Sequence, residues 1–353
     1  MSQSEIFRAE KLPVLQNRMF NTAQEALNSP TGDIVLVQDM DTGLVFNAAF
    51  DPAKLEYDKS YQNEQACSNV FQSHLNAVTE IIHRNFDRCS LIEVGCGKGY
   101  FLDHLYAHGF EITGIDPAYE GGNPRVVKAL FKRELGLSAD GIILRHVLEH
   151  IPDPFAFLSS IADANGGKGI IYIEIPCFDW ICHHKAWFDI FYEHVNYFRI
   201  NDFHKMFGTV LESGHCFNGQ YIYVVADLAT LRKPCFDRLS IMDFPKDFLD
   251  DIHQVAAVAR GNKRNAIWGG ASKGVIFSIY MQRMGIGIDL VIDINPAKQG
   301  KYLACSGLCV MSPLQAMAVL QPKECIFVMN GNYLDEIVAQ SGNQYQYYKV
   351  DHE

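Results

Sequence analysis

Two series of short apolar runs, each followed by a turn and an amphipathic stretch, stand out along the chain. The first comprises Ser90–Val94, Glu111–Ile115, Arg125–Leu130, Gly141–Leu144 and Gly169–Ile175. Brief apolar runs bounded by Gly, Pro or Asp read as buried strands. Between them, Tyr100–Ala107 and Pro154–Asp163 carry the spacing of helices. Strand–helix alternation at this interval predicts a parallel, doubly wound sheet with helices on both faces. Tyr221–Ala226 is expected to add an antiparallel edge strand. After a polar helical stretch, Pro245–Arg260, the alternation restarts with strands at Asn265–Trp268, Asp289–Ile292, Leu308–Met311, Glu324–Met329 and Tyr345–Val350. The expected fold class is therefore α/β: a doubly wound sheet followed by a second, smaller α/β domain.

The opening segment differs. Residues 1–70 are mixed and polar, with strands expected at Ile34–Gln38 and Gly43–Asn47 around the turn Asp41-Thr42-Gly43, before a helix at Cys67–Phe86. Three domains follow from these shifts: 1–70, 71–240 and 241–353. One uncharged run, Tyr302 to Pro322, is broken by Ser306-Gly307 and Ser312-Pro313, so it reads as strand, turn and helix rather than a membrane span.

The chain has 353 residues, of which 48% are hydrophobic and 20% charged, the profile of an ordinary globular protein. Its net charge of −11 argues against binding to nucleic acid or to an anionic membrane. Ten cysteines are scattered without a Cys-x-x-Cys pair, and the first is Cys67, so neither a zinc ribbon nor a disulfide framework is expected. No apolar leader follows Met1. Together these features predict a reduced cytoplasmic protein with buried free thiols.

The most specific chemical signal is LIEVGCGKGYFLDHL. Gly95, Gly97 and Gly99 fall where a buried strand turns into a helix, and bare backbone there lets a ligand approach closely. Glu93 lies two residues before the turn. A carboxylate at that point repels phosphate and suits an amine-bearing ligand. Asp116 closes the next strand, where a carboxylate can accept both hydroxyls of a ribose. An NAD-type site, or glycines used for packing alone, are the other readings of the residues. The Glu-x-Gly-x-Gly-x-Gly pattern followed by an acid at the next strand end resembles the class I S-adenosylmethionine (SAM) methyltransferases. That resemblance implies a Rossmann-like fold, SAM as cofactor, and Glu93, Gly95, Gly97 and Asp116 as its binding residues.

His146-Val147-Leu148-Glu149-His150 matches the inverted zincin pattern His-x-x-Glu-His. The segment directly follows a strand, however, and Pro152 limits any helix to about one turn. RHVLEHIPDP is also similar to the segment after the fourth strand of SAM methyltransferases. The resemblance places the Glu-His of this segment near the cofactor pocket; His146 is expected to line that pocket, with a hydrogen-bonded structural histidine as the other reading, and no metal is expected.

After the fifth strand comes CFDWICHHKAWFDIFYEHVNYFRINDF, at the sheet edge where open α/β folds bind ligands. Histidine suits proton removal near neutrality, and an adjacent carboxylate can orient it. Buried aromatic packing is the alternative. YEHVNYF is similar to the Glu-His-x-x-Tyr-Phe signature of sugar C-methyltransferases, which methylate a carbon beside the ketone of a nucleotide-linked keto-sugar. The resemblance implies His194 as base, Glu193 as its orienting group, and Tyr192 or Tyr197 as stabiliser of the enolate oxygen. Where that family often has a tyrosine, this chain has Phe191. WGGASKG and VIDINPAKQGKYL resemble the same family's C-terminal, Rossmann-like domain. There Gly270, Lys273 and Gly274 are expected to offer free amides and a cation to a nucleotide diphosphate; a helix cap is the other reading. Relatives usually begin with a cysteine-rich zinc module; with no cysteine before Cys67, that module is expected to be metal-free or remodelled here. Tyr57-Asp58-Lys59-Ser60-Tyr61-Gln62 resembles the family's covering segment and makes Tyr61 a further cofactor-side candidate.

Taken together, the expectation is SAM-dependent C-methylation of a nucleotide-linked keto-sugar. Two alternatives are O-methylation of a sugar or other small molecule, and a non-catalytic nucleotide-sugar binding protein.

Overall fold

The computed structural model describes residues 3–55, 60–62, 66–86 and 89–351. Tyr57, Asp58 and Lys59 of the covering segment lie outside the described residues. The central sheet runs, edge to edge, Val210–Cys216, Tyr221–Asp227, Ile170–Pro176, Gly141–Arg145, Ser90–Val94, Glu111–Ile115 and Val126–Val127. Its last five strands are mutually parallel, and Tyr221–Asp227 joins antiparallel to Ile170–Pro176. The expected third strand, Arg125–Leu130, shrinks to Val126–Val127. It pairs only with Gly114 and Ile115 at the sheet edge, and the chain turns at once, with the Ala129 amide bonded to the Val127 carbonyl.

From Ser90–Val94 the chain steps outward to Glu111–Ile115, then crosses back to Gly141–Arg145 on the other side. The strand order therefore reverses between Ser90–Val94 and Gly141–Arg145, and a crevice opens at their C-terminal ends. Apolar side chains cover both faces. Ile92, Val94, Ile142 and Leu144 belong to one buried cluster, and Leu91, Ile112, Ile143 and Tyr172 to another. Burial on both faces is why these strands read as near-continuous apolar runs.

A smaller sheet repeats the arrangement: Val310–Met311, Leu290–Ile292, Asn265–Trp268, Cys325–Val328 and Gln346–Lys349, all parallel. Its order reverses between Asn265–Trp268 and Cys325–Val328. The two reversal points face each other.

The N-terminal residues form an antiparallel sheet of Gln3–Pro13, Thr31–Asp39 and Val45–Asn47. That sheet is completed by Asn196–Tyr197, two residues after His194. A second tie pairs Met19–Phe20 with Tyr302–Leu303 of the C-terminal region. All ten cysteines are free thiols. Among the described residues, no helix is long and apolar enough to cross a membrane.

Candidate active site

One cavity of about 380 Å³ lies between the two reversal points. Glu93, Gly95, Gly97 and His146 line it from the central sheet, Trp268, Gly269, Lys273 and Asn330 from the smaller sheet, and His150 and His194 from the connecting segments.

The glycine turn is built for close approach. Gly95, Gly97 and Gly99 all have positive φ, at 76°, 54° and 80°. A Cβ on Gly95 would lie 2.5 Å from Val147 Cγ2, whereas a Cβ on Gly97 would meet nothing within 4 Å. Gly95 is therefore a packing requirement, while Gly97 keeps bare backbone beside open space. Asp116 accepts from the Gly97 amide at 2.8 Å and the Ala118 amide at 2.7 Å, which fixes its carboxylate at the lip of the turn. Glu93 is 3% exposed, and its Oε2 has no hydrogen-bond partner among the described residues. Burial pushes its carboxyl up to about 7, against the pull of Arg145, with Asp116 and Glu174 adding to the rise. A buried carboxylate with one oxygen unmade is a site waiting for a donor or a cation.

Arg145 cannot be that cation, because Glu174 holds it. Its Nε and an Nη donate to the Glu174 carboxylate at 3.1 and 3.0 Å, and the guanidinium lies over the Phe101 ring. Glu174 also accepts from Tyr172 at 2.8 Å and pairs with His74 at 2.9 Å. Burial opposes its charge, but Arg145, His146 and His74 hold it well below the usual carboxylate range.

His146 has a φ of 51°, a left-handed conformation at the strand exit. Its Nδ1 lies 3.5 Å from Glu149 Oε1 and its Nε2 3.3 Å from Glu174 Oε1, the latter off the hydrogen-bond line, so the attraction is electrostatic. Burial depresses its basicity, but the two carboxylates outweigh it and hold the ring up at about 9. Leu148–His150 is a single 3-10 turn, as Pro152 demands, so no helix presents the two histidines side by side. Instead Glu149, His150 and His194 bring one ligand-type atom each within 4.8 Å of one another.

His194 lines the cavity, with its ring 5.0 Å from that of His150 and 4.9 Å from Phe191. Burial, helped by His150, pulls it down to about 3, so the ring is neutral at working pH. His150 is the residue that sequence reasoning passed over, although the Glu-His of the motif was its signal. Its Nδ1 donates to the Glu193 carbonyl at 3.0 Å.

Several expected roles need correction. Glu193 does not orient His194. It is buried, accepts from the Tyr61 hydroxyl at 2.7 Å and faces the Gln16 amide at 3.4 Å. Tyr61 lines the same cavity as the glycine turn and donates to Glu193, and the neighbouring Gln62 accepts from Lys98 Nζ of that turn at 2.8 Å. Tyr192 is fully buried, and its hydroxyl accepts from the Asp51 amide at 2.8 Å. Tyr197 is 3% exposed, and its hydroxyl is spent on the Phe191 carbonyl and amide. Neither tyrosine lines the cavity. In the smaller sheet the Gly270 amide donates to Asp293 Oδ2 at 3.0 Å and the Gly274 amide to the Ala271 carbonyl at 3.2 Å, so neither is free. A Cβ on Gly274 would sit 2.0 Å from the Gly269 carbonyl oxygen, which makes that glycine a packing residue. Among the described residues, the amides of Ala271 and Lys273 are the ones left unbonded at this helix start. The Lys273 ammonium reaches the cavity already paired with Asp189 at 3.0 Å.

Residues 63–210 match the family model of a methyltransferase domain, and residues 244–348 match that of a C-methyltransferase C-terminal domain. Among solved structures, the chain is similar to a 1,6-didemethyltoxoflavin-N1-methyltransferase from Burkholderia thailandensis. Identity is 15% and the TM-score 0.37, covering 54% of this chain and 97% of that one. It is likewise similar to the magnesium protoporphyrin IX methyltransferase of Synechocystis, at 16% identity and a TM-score of 0.33, over 45% and 78% of the respective chains. No curated protein matches. The Glu93 oxygen without a partner among the described residues, the open face of Gly97 and the fixed Asp116 carboxylate fit SAM, whose ammonium would pair with Glu93 and whose ribose hydroxyls would donate to Asp116. A methyltransferase domain followed by a C-methyltransferase C-terminal domain is consistent with a class I, C-methyltransferase-like family of SAM-dependent methyltransferases.

Proposed function

We propose that this enzyme methylates a carbon beside the ketone of a nucleotide-linked keto-sugar. The observation that carries the reading is the single cavity shared by two facing strand-order reversals, because each is a ligand crevice in its own right. Two reactants held there meet at fixed separation, which removes much of the entropic barrier to transfer.

Glu93 receives the cofactor's ammonium, Asp116 its ribose, and Gly95 and Gly97 shape the turn beneath it. When bound, SAM supplies an electrophilic methyl group on a sulfonium. His194, neutral and in the cavity wall, removes the proton from the acceptor carbon. Neither tyrosine reaches the oxygen that becomes negative; His150, whose ring lies beside His194, gives its Nδ1–H to the Glu193 carbonyl and would donate to that oxygen only from Nε2 of a doubly protonated ring. Lys273 and the unbonded amides of Ala271 and Lys273 face the diphosphate. Lys273 must then exchange Asp189 for phosphate. The domain division 1–70, 71–240 and 241–353 belongs to the same proposal: the first braces the 191–197 segment, the second binds SAM, and the third binds the nucleotide.

Mass spectrometry of products from a panel of nucleotide keto-sugars and heptoses incubated with SAM tests the reading. It predicts a product heavier by one methylene, with the new methyl on carbon. A methyl on oxygen favours the hydroxyl reading. Tight nucleotide binding with no product from any of the panel favours a binding protein.

A further inference from the structure

Glu149 has no role in the chemistry set out so far, yet its surroundings are unusual. The carboxylate is 2% exposed and lines the cavity. Oε1 faces His146, and Oε2 has no hydrogen-bond partner among the described residues. One of its oxygens lies within 4.8 Å of a ring nitrogen of both His150 and His194. Three imidazoles thus surround one buried carboxylate. Burial works against its charge, but His146, His150 and His194 outweigh it and hold Glu149 ionised, below the usual carboxylate range.

Resting on the proton-removing role given to His194 above, we infer that Glu149 is a positioning residue, the counter-charge that lets His194 keep the proton taken from the acceptor carbon. In that step the C–H bond beside the ketone breaks. Its electron pair enters the enolate C=C bond, and the carbonyl oxygen takes the negative charge. The proton forms an N–H bond on His194, which becomes an imidazolium and later returns the proton to water.

The surroundings of His194 resist that cation from most directions. Burial disfavours it, and so do His150 and His146, while Glu149 is the carboxylate that favours it. The Phe191 and Tyr197 rings, at 4.9 and 6.4 Å, carry no full charge. Glu193, adjacent in sequence, bonds Tyr61 and Gln16 and lies 3.9 Å from His150 Nδ1, and it is not among the charges that act on His194. Cation and buried counter-ion within 4.8 Å of one another attract more strongly than in bulk water, so the loss of Glu149 falls on proton transfer rather than on binding.

The test separates proton transfer from methyl transfer. Full-length protein with S-adenosylhomocysteine is incubated in heavy water with dTDP-4-keto-6-deoxyglucose and the other keto-sugars of the panel. NMR follows deuterium entering the carbon beside the ketone. Wild type is expected to exchange. Glu149→Gln is expected to exchange at least tenfold more slowly, with S-adenosylhomocysteine affinity and acceptor KM unchanged, and Glu149→Asp to recover most of the rate. Exchange by Glu149→Gln at the wild-type rate overturns the inference while leaving the role of His194 standing. Equal loss in Glu149→Asp, together with weakened S-adenosylhomocysteine binding, assigns Glu149 to the fold alone and also overturns it. One divalent cation per purified wild-type chain, lost in Glu149→Gln, would make the trio a metal site instead. Wild type that binds the nucleotide sugars but exchanges none of them removes the base, and this inference with it.

Discussion

Glu93 and Glu174 are both buried carboxylates on parallel strands, and Arg145 stands on the strand between them, yet they titrate in opposite directions. The guanidinium gives its bonds to Glu174, which leaves Glu93 with an oxygen unmade and a pKa of about 7. In Glu93 the buried charge is disfavoured until a cation arrives, so SAM binding releases a proton below pH 7. Titration calorimetry is expected to show affinity weakening by about tenfold per pH unit below 7, with Glu93→Gln abolishing the slope. Glu174 has the opposite sign. Its folded pKa is depressed, so its stabilisation is present above about pH 4.3 and lost as pH falls through the folded value. Glu174→Ala leaves Arg145 buried and uncompensated and is expected to cost about 3–5 kcal/mol in chemical denaturation at pH 7. The two turn glycines also divide. Gly95→Ala collides with Val147 and should lower stability. Gly97→Val should leave the fold standing apart from about 1–2 kcal/mol of left-handed strain, and weaken SAM binding by more than tenfold. Thermal denaturation and calorimetry on the pair separate the two effects.

The segment around His194 is held by strands that precede it in the chain by more than a hundred residues. The Asn47 amide donates to the Val195 carbonyl at 2.7 Å, Asp51 bonds the Tyr192 hydroxyl, and Asn196–Tyr197 extends the N-terminal sheet. Gly32 marks how close the fit is, since a Cβ there would lie 2.1 Å from Tyr192 Cε2. Gly32→Val is expected to cost about 1–3 kcal/mol by overpacking, and to lower activity because Tyr192 and His194 share one short stretch. Equal activity and stability in that variant would show that the sheet does not brace the site. The long reach also explains what sequence could and could not reveal. Ser90–Val94, Tyr100–Ala107, Glu111–Ile115 and Asn265–Trp268 appear where local periodicity places them, because each is defined by its own apolar pattern and turn. The glycine turn and Asp116 stand at strand ends for the same reason: motif and strand end coincide. The partners of Glu193, Tyr192 and Tyr61 were not legible, because Gln16, Asp51 and Glu193 meet them across 177, 141 and 132 positions, and no local spacing encodes that meeting. Adjacency of Glu193 and His194 suggested a working pair. A turn in the backbone gives each its own neighbours instead.

Two α/β sheets present their ligand-binding ends to one another, and side chains stitch the rim between them. Lys273 pairs with Asp189, Gln220 and Asn330 exchange amide hydrogen bonds at 3.0 and 2.9 Å, and Ser272 donates to Asn17 at 2.8 Å. The crevices of the two sheets thereby share one cavity, with His194 and His150 in its wall. A crystal structure of the full chain with S-adenosylhomocysteine and a nucleoside diphosphate tests this arrangement most directly. The predicted result is both ligands in the one cavity. The homocysteine ammonium lies against Glu93, the ribose against Asp116, and the diphosphate on the Ala271 and Lys273 amides, with Lys273 released from Asp189. A nucleotide bound elsewhere, with Lys273 still paired to Asp189 and the smaller sheet's crevice unfilled, would contradict it.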